Sequence, residues 1–385
     1  MINAALTAIR RRTLPEPDAK PQPPGTGPHV LGTAAPDNWT APDSWPTSPA
    51  AWVSQWDVSA RLFQLIAQSA WTNQSTEQRR TLSGHARGHL QHLRRHRSCN
   101  GAASTALCDA VQIMAATHFD GWVESHRWVA QGHRRLESSL AAQLGSANAP
   151  AHDPLHLEQT LWAIALAYAT AQKANHPLPA SVMRTWRSGV QTVVDIAGRS
   201  GQTPMLDAGR TPILPLGPVP TATTLAHLAH HWVGLDCPRN SGDDPAFTRL
   251  TGASAQGRDW QETTHWHANS WRDQGLVSAH SGKHHIIGRS DDQAVWWMVN
   301  GTRAVHGSAT NLVRTQAKLE VSRVDGRVLH MKLGDRVIQM EGSRLTITDT
   351  GTDRTLRWTF PHATVITATP KGFSASTPLG EMSIV

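Results

Sequence analysis

Tyrosine and cysteine are nearly absent from this chain, with one Tyr and three Cys in 385 residues. Cys99, Cys108 and Cys237 are too few and too scattered for a disulfide framework or a zinc-binding cysteine motif, so a reducing compartment is the default. No run approaches the roughly 20 apolar residues that a membrane-crossing helix needs, and no membrane span is expected. The opening MINAALTAIRRR is basic but is followed by no apolar core, so it does not read as a secretory signal. The expected location is cytoplasmic, or periplasmic or secreted if the sequence is a trimmed piece or exported by a non-standard route. The dense Lys/Arg stripes of a nucleic-acid module are also missing. The nearest candidate, Arg94–Arg97 (RRHR), reads as a solvated helix face, and nucleic acid is not an expected partner.

What the chain does hold is basic charge, tryptophan and histidine. Net charge is +7, with 16 Trp against five Phe, and 22 His. The positive surplus suits an anionic partner, and indole faces stack on sugar rings as well as filling cores. The length predicts two domains, each able to bury a core.

The pattern along the chain divides it. Residues 1–50, rich in Pro, Ala, Thr and Asp, read as a tail and extended entry segment. From 51 to 236 apolar residues recur at three and four, in about seven helices: WVSQWDVSARLFQLIAQSAW is the first and TATTLAHLAHHWVGL the last. Residues 237–273, rich in Gly, Pro, Asn and Asp, read as a linker. From 274 to 385 the period falls to two, in about nine strands that mostly end in turn pairs such as NG, DG or TG. The order is a helical domain, a linker and an antiparallel β-sandwich, an α+β multidomain chain.

Several segments, taken in order, resemble the heparinase II/III-like polysaccharide lyases. WDVSARLFQLI resembles the helix that opens the family's toroid. CNGAASTALCDAVQIMAATHF resembles its Asn-Asn-His and alanine-rich helix, and AHDPLHLEQTLWAIALAY its Glu-x-Ser-Pro-x-Tyr-His entry to the next helix. GRSGQTPMLDAGR resembles a family loop, DQGLVSAHSGKHHIIGRSDD the strand pair that opens the sandwich, and RLTITDT and TLRWTFPHATV its later strands. The resemblance covers roughly residues 50–385. It implies an N-terminal α/α toroid, an incomplete barrel of helix hairpins, followed by the sandwich. The implied activity is that of a carbon–oxygen lyase on an acidic polysaccharide. Three departures stand out. The Asn-Asn-His is here Cys99-Asn100-Gly101, the helix-entry Tyr is replaced by Leu155 or His156, and the family's His-rich block has only AVHGSATN, at His306, as its nearest shape.

Such lyases remove the weakly acidic C5 proton of a uronate. A neutraliser must quench the adjacent carboxylate, a base must take the proton, and an acid must protonate the departing O4. Asp153-Pro154 reads as N-cap and first helical position, which places His156 in a first turn whose N–H groups favour anions. The resemblance then implies His156 as base in place of the missing Tyr, Asn100 as neutraliser and His306 as acid. Substrate contacts are expected from Trp56, Arg61, His152, Asp207, Arg210, Trp266, His285 and Arg289. No cofactor and no metal site is predicted, although His265, His267, His284 and His285 have spacings that can ligate zinc, and a structural divalent metal in the sandwich fits the family. On a strand, His284 and His285 point oppositely, and of Trp296 and Trp297 one faces the core.

Two other readings use the same residues. One is a catalytically degenerate glycan-binding or polysaccharide-assembly protein on the same scaffold. The other is a hydrolase, which needs two carboxylates about 5–9.5 Å apart, with Asp153, Glu158 and Asp207 the candidates. The sugar and the oligomeric state carry no sequence signal.

Overall fold

A computed structural model describes residues 55–69, 75–96, 101–145, 154–201, 203, 221–239, 242–258, 265–271, 275–290, 293–300, 302–310, 319–325, 328–333, 335–349, 355–359, 364–369 and 372–384. Over some of these, 302–310 and 319–325 among them, only the backbone is described. The chain forms two compact units. One comprises Met1–Ser139, Trp162–Pro179 and Gly209–Pro218; the other comprises Leu140–Leu161, Ala180–Ala208 and Val219–Val385.

The first unit holds helices α1 (Gln55–Ser69), α2 (Thr76–Arg95), α3 (Gly101–His118), most of α4 (Ser125–Gly145) and the later part of α5 (Pro154–Lys173). A capping box starts α2. Ser75 Oγ accepts from the Gln78 N–H at 3.1 Å, and Gln78 Oε1 accepts from the Ser75 N–H at 2.8 Å. Described side chains of α3 are buried almost all round, from Ala106 to Thr117, as expected of a helix apolar on every face. Its one buried carboxylate, Asp109, accepts a hydrogen bond from Ser139 Oγ at 2.9 Å.

The second unit holds the end of α4, the start of α5, α6 (Ala180–Ala197), a 3₁₀ turn at Gly198–Ser200, α7 (Thr221–Val233) and α8 (Pro245–Thr251). Trp186 of α6 is fully buried and its Nε1–H donates to the Leu161 carbonyl at 2.9 Å. Helix α8 falls within the stretch read as a linker. It is only seven residues long, too short to show a helical period, and it is set by its cap. Asp244 Oδ1 accepts from the Phe247 N–H at 3.0 Å, Pro245 takes the first position, and the other Asp244 oxygen lies 2.9 Å from His227 Nδ1. Among the described residues no helix is long and apolar enough to cross a membrane.

Among the described residues the same unit carries thirteen strands in two sheets. The first is ordered β1 (His267–Trp271), β2 (Leu276–Ser281), β3 (His284–Arg289), β4 (Ala294–Val299), β5 (Thr302–Thr310), β10 (Thr355–Thr359). The second is ordered β11 (Val365–Thr369), β12 (Gly372–Thr377), β13 (Gly380–Ile384), β9 (Arg344–Asp349), β8 (Arg336–Glu341), β7 (Val328–Leu333), β6 (Leu319–Asp325). All pairs are antiparallel except β13 with β9, which is parallel, so the second sheet is mixed rather than antiparallel throughout. Nine strands were legible as alternating runs. The other four, β1, β5, β12 and β13, are rich in Gly, Ser, Ala, His and Asn and show no clean alternation.

The two sheets face one another across an apolar core that includes Val277, Ile286, Val295 and Trp297 from the first and Leu329, Met331, Ile338, Ile347 and Met382 from the second. The first sheet is covered on its other face too, where Leu276, Ile287, Trp296 and Met298 pack with Ile196 of α6. Trp296 and Trp297 are therefore both buried, on opposite faces. Gly380 sits against the Trp297 ring with φ +153. A Cβ there would lie 2.5 Å from the ring and 2.6 Å from the Ser343 carbonyl oxygen. We expect Gly380→Ala to cost at least about 2 kcal/mol in urea unfolding, through overpacking and backbone strain together. An unchanged midpoint would mean that the sheets do not approach this closely.

Candidate functional site

The hairpin β2–β3 turns through Gly282-Lys283, and this fixes the register of its histidines. His280 lies opposite His285, and His267 of β1 lies opposite His280. The three imidazoles form a row across three strands, with ring centroids 5.8 Å apart for His267–His280 and 6.4 Å for His280–His285. Exposure falls along it, from exposed His267 through half-buried His280 to buried His285. His284 points oppositely, as alternation requires, and stacks on Trp297.

The inner end of the row is anchored to the end of α6. Ser278 Oγ donates to the Asp195 carbonyl at 2.9 Å and lies 2.7 Å from His285 Nε2. A hydroxyl has one proton, and a carbonyl can only accept. We therefore assign His285 the tautomer in which Nε2–H donates to Ser278 and Nδ1 is the bare nitrogen. That nitrogen faces Gly198, whose φ is +58 and whose added Cβ would come within 3.0 Å of it. Burial, assisted by His280, pushes the His285 imidazole down to about 3, so it is neutral near neutral pH. His280 is lowered as well, by burial first and then by the charges of His267 and Arg199.

Cationic and acidic groups complete the surroundings. Arg289 shares the strand and face of His285, and its guanidinium lies 5.3 Å from the Trp296 ring centroid. Burial lifts the Asp195 carboxyl to about 6, against the pull of a 2.8 Å hydrogen bond from Gln191. Burial also lifts the nearby Cys237 thiol to about 11, which rules it out as a thiolate nucleophile at neutral pH. Among the described residues no three His, Cys, Asp or Glu side chains are grouped to hold a metal ion.

The residues singled out from sequence fall in both units. His285 and Arg289 share the helix-covered face of the first sheet, and His306 is opposite Trp296 in the ladder, its side chain outside those described. Trp266 is buried in the core between the sheets, with no ring face open for stacking on a sugar. His156 does fall in the first turn of α5, which begins at Pro154, but it is only 5% exposed. Its carbonyl accepts from Thr160 Oγ1 at 2.9 Å, and that hydroxyl in turn receives Gln143 Nε2 at 3.2 Å. Glu158 is buried in the same helix. In the first unit, Arg61 is buried in α1, and its charge is felt by His89, which burial pushes down to about 4. Trp56 lies in α1 with its side chain outside those described. Asn100, His152, Asp153, Asp207 and Arg210 lie outside the described residues.

Ser278, His280, Asp195 and Arg199 were not singled out. The first two were legible, because a two-residue turn at 282–283 sets 280 against 285 and 278 beside it. Asp195 and Arg199 left no such signal in VVDIAGRS.

Two outcomes follow. Gly198→Ala is expected to lose about 1–3 kcal/mol, because alanine is strained at positive φ and its methyl meets the His285 ring. The folded value of His285 is depressed from the ordinary 6.5 to about 3, so its contribution is complete above 6.5 and is lost as pH falls toward 3. Asp195 acts oppositely, since its folded value is raised. The difference in unfolding free energy between the native protein and His285→Gln should therefore shrink by a few kcal/mol, in order of magnitude, from pH 7 to pH 4. A pH-independent difference would show that the imidazole is not buried neutral.

No family model matches the chain, and no curated protein matches it. Among solved structures the chain is similar to a heparinase III gene product with methylated lysines, at 11% identity over 74% of this chain and 50% of that one, with a TM-score of 0.48. It is similar to a heparinase III at 11% identity, over 88% and 56%, with a TM-score of 0.46. It is also similar to the heparan sulfate lyase HepC from Pedobacter heparinus at 13% identity, over 74% and 51%, with a TM-score of 0.41. The chain spans about half the length of each of these structures.

Proposed function

We propose that this protein binds an acidic, uronate-containing polysaccharide and cleaves it by β-elimination, as a divergent protein of the heparinase II/III-like kind. The observation that carries the reading is the graded histidine row, with Arg199 acting on its middle member and Arg289 on the same sheet face. The motif order in the sequence supports it independently.

The chemistry needs no cofactor. An arginine beside the sugar carboxylate withdraws charge and acidifies C5–H. Neutral His280 takes that proton, the C–H electrons form the C4=C5 double bond, and the C4–O4 bond breaks. The departing O4 then takes a proton from an acid, for which His267 is adjacent and His306 is the rival. The resemblance gives two of these roles to other residues, Asn100 as neutraliser and His156 as base. A lowered imidazole value suits the base role, because it keeps the ring unprotonated at neutral pH.

A second reading, a glycan-binding protein that no longer cleaves, is favoured by one observation. His156 and His285 are both less than a tenth exposed. The two readings part in an assay of uronate polysaccharides, followed by ultraviolet absorbance of the unsaturated product. With elimination intact, His280→Ala should lower the rate by about 10²–10⁴-fold. Loss in His156→Ala instead would move the base to α5. Absence of product from every polysaccharide, with one of them bound, would replace the first reading by the second.

A further inference from the structure

The arginine-rich end of α2, which the histidine row does not involve, is part of a larger arrangement. Helices α2 and α4 together carry eight arginines and two glutamates, a surplus of six against +7 for the whole chain. They are tied by a ladder of side chains. Trp122 Nε1–H, just before α4, donates to Ser83 Oγ at 2.9 Å; Arg87 pairs with Glu124 at 2.5 Å; and Arg94 donates to Gln131 at 2.5 Å. The offset in sequence is 39, 37 and 37, so the two helices run in the same direction with their basic residues in step.

Two features of this ladder are costly unless something fills it. First, Arg94 lies among like charges. Its guanidinium is lowered by burial first and then by Arg127 and Arg135, with Glu124 alone acting the other way. Glu124 is itself held by Arg87. Second, Arg94 is already oriented, with its guanidinium carbon 4.8 Å from the Trp128 ring centroid and one nitrogen fixed by Gln131. A pre-set guanidinium in a field of unbalanced positive charge is what an anion would complete. At one end half-exposed Phe119 and Trp122 stack on each other with centroids 4.7 Å apart, which offers an aromatic face beside the charges.

We propose that the Arg87–Arg94–Arg127–Arg135 ladder of α2 and α4, with the Phe119/Trp122 stack at its end, is a binding track for an acidic polysaccharide strand, separate from the histidine row. The choice of polymer rests on the proposed function; the track itself does not. An aromatic face beside spaced guanidiniums fits a chain of sugar rings bearing carboxylates or sulfates. From Ser83 to Arg95 it is about 18 Å long at 1.5 Å per residue, enough for several sugars.

The test is titration calorimetry of the full chain with a heparin oligosaccharide of defined length at several salt concentrations. Arg127→Gln combined with Arg135→Gln should weaken binding at least tenfold and lower the slope of log K against log salt by about 2, one for each lost contact. Trp122→Leu should weaken binding without changing that slope. Arg184→Gln, an exposed arginine on α6, should change neither. Unchanged affinity in the double variant, with its fold confirmed by circular dichroism, overturns the track. Tighter binding of single-stranded DNA of matched charge overturns the choice of polymer in favour of nucleic acid. Product formation is measured separately, so an inactive protein that still shows these binding differences would fail the elimination reading and keep the track.

Discussion

The shared hydroxyl of Ser278 is the contact on which the candidate site depends. It gives its proton to the last turn of α6 and receives one from His285. This single side chain sets the tautomer of a buried imidazole, holds the first sheet under a helix, and leaves room for only a glycine at 198. The remaining geometry follows from the strand register. Once His285 is fixed, His280 and His267 are carried outward on neighbouring strands at a spacing set by the sheet, and Arg289 and Trp296 are carried to the same face. A sheet that is buried on both faces makes such a row rigid, and burial keeps its inner members neutral.

The helical and strand periods were legible from sequence because most elements bury one face. They failed where that condition fails. Strand β4, AVWWMV, is buried at every position, so alternation assigned only one of its tryptophans to the core. Its second tryptophan packs under α6, a partner remote in sequence. Strands β12 and β13, GFSAST and GEMSI, send few apolar side chains into the core, Phe373 and Ala375 from one and Met382 from the other, too few to mark an alternation. The short helix at Pro245 is marked by its cap alone.

The site was less legible than the fold. Histidine was singled out by its chemistry, and the hairpin turn held enough information to set His280 against His285. What the sequence does not reveal is which face is covered. Trp266 and His156 both look accessible in a list of residues, and both are buried. Asp195 shows the converse. It sits in an ordinary amphipathic helix, and only burial beside the sheet raises its carboxyl into the range where it can exchange protons near neutrality.

The parallel pairing of β13 with β9 carries a consequence for biosynthesis. The strand Gly380–Ile384 is the last of the thirteen to be made, yet it lies inside the seven-stranded sheet, between β12 and β9. On the ribosome, β6 to β9 can pair as a meander while β11 and β12 remain separated from them. Until β13 arrives, the β9 edge of that meander stays unpaired. An open edge is a template for pairing with another chain, so the nascent sheet is exposed to misassembly until β13 is in place.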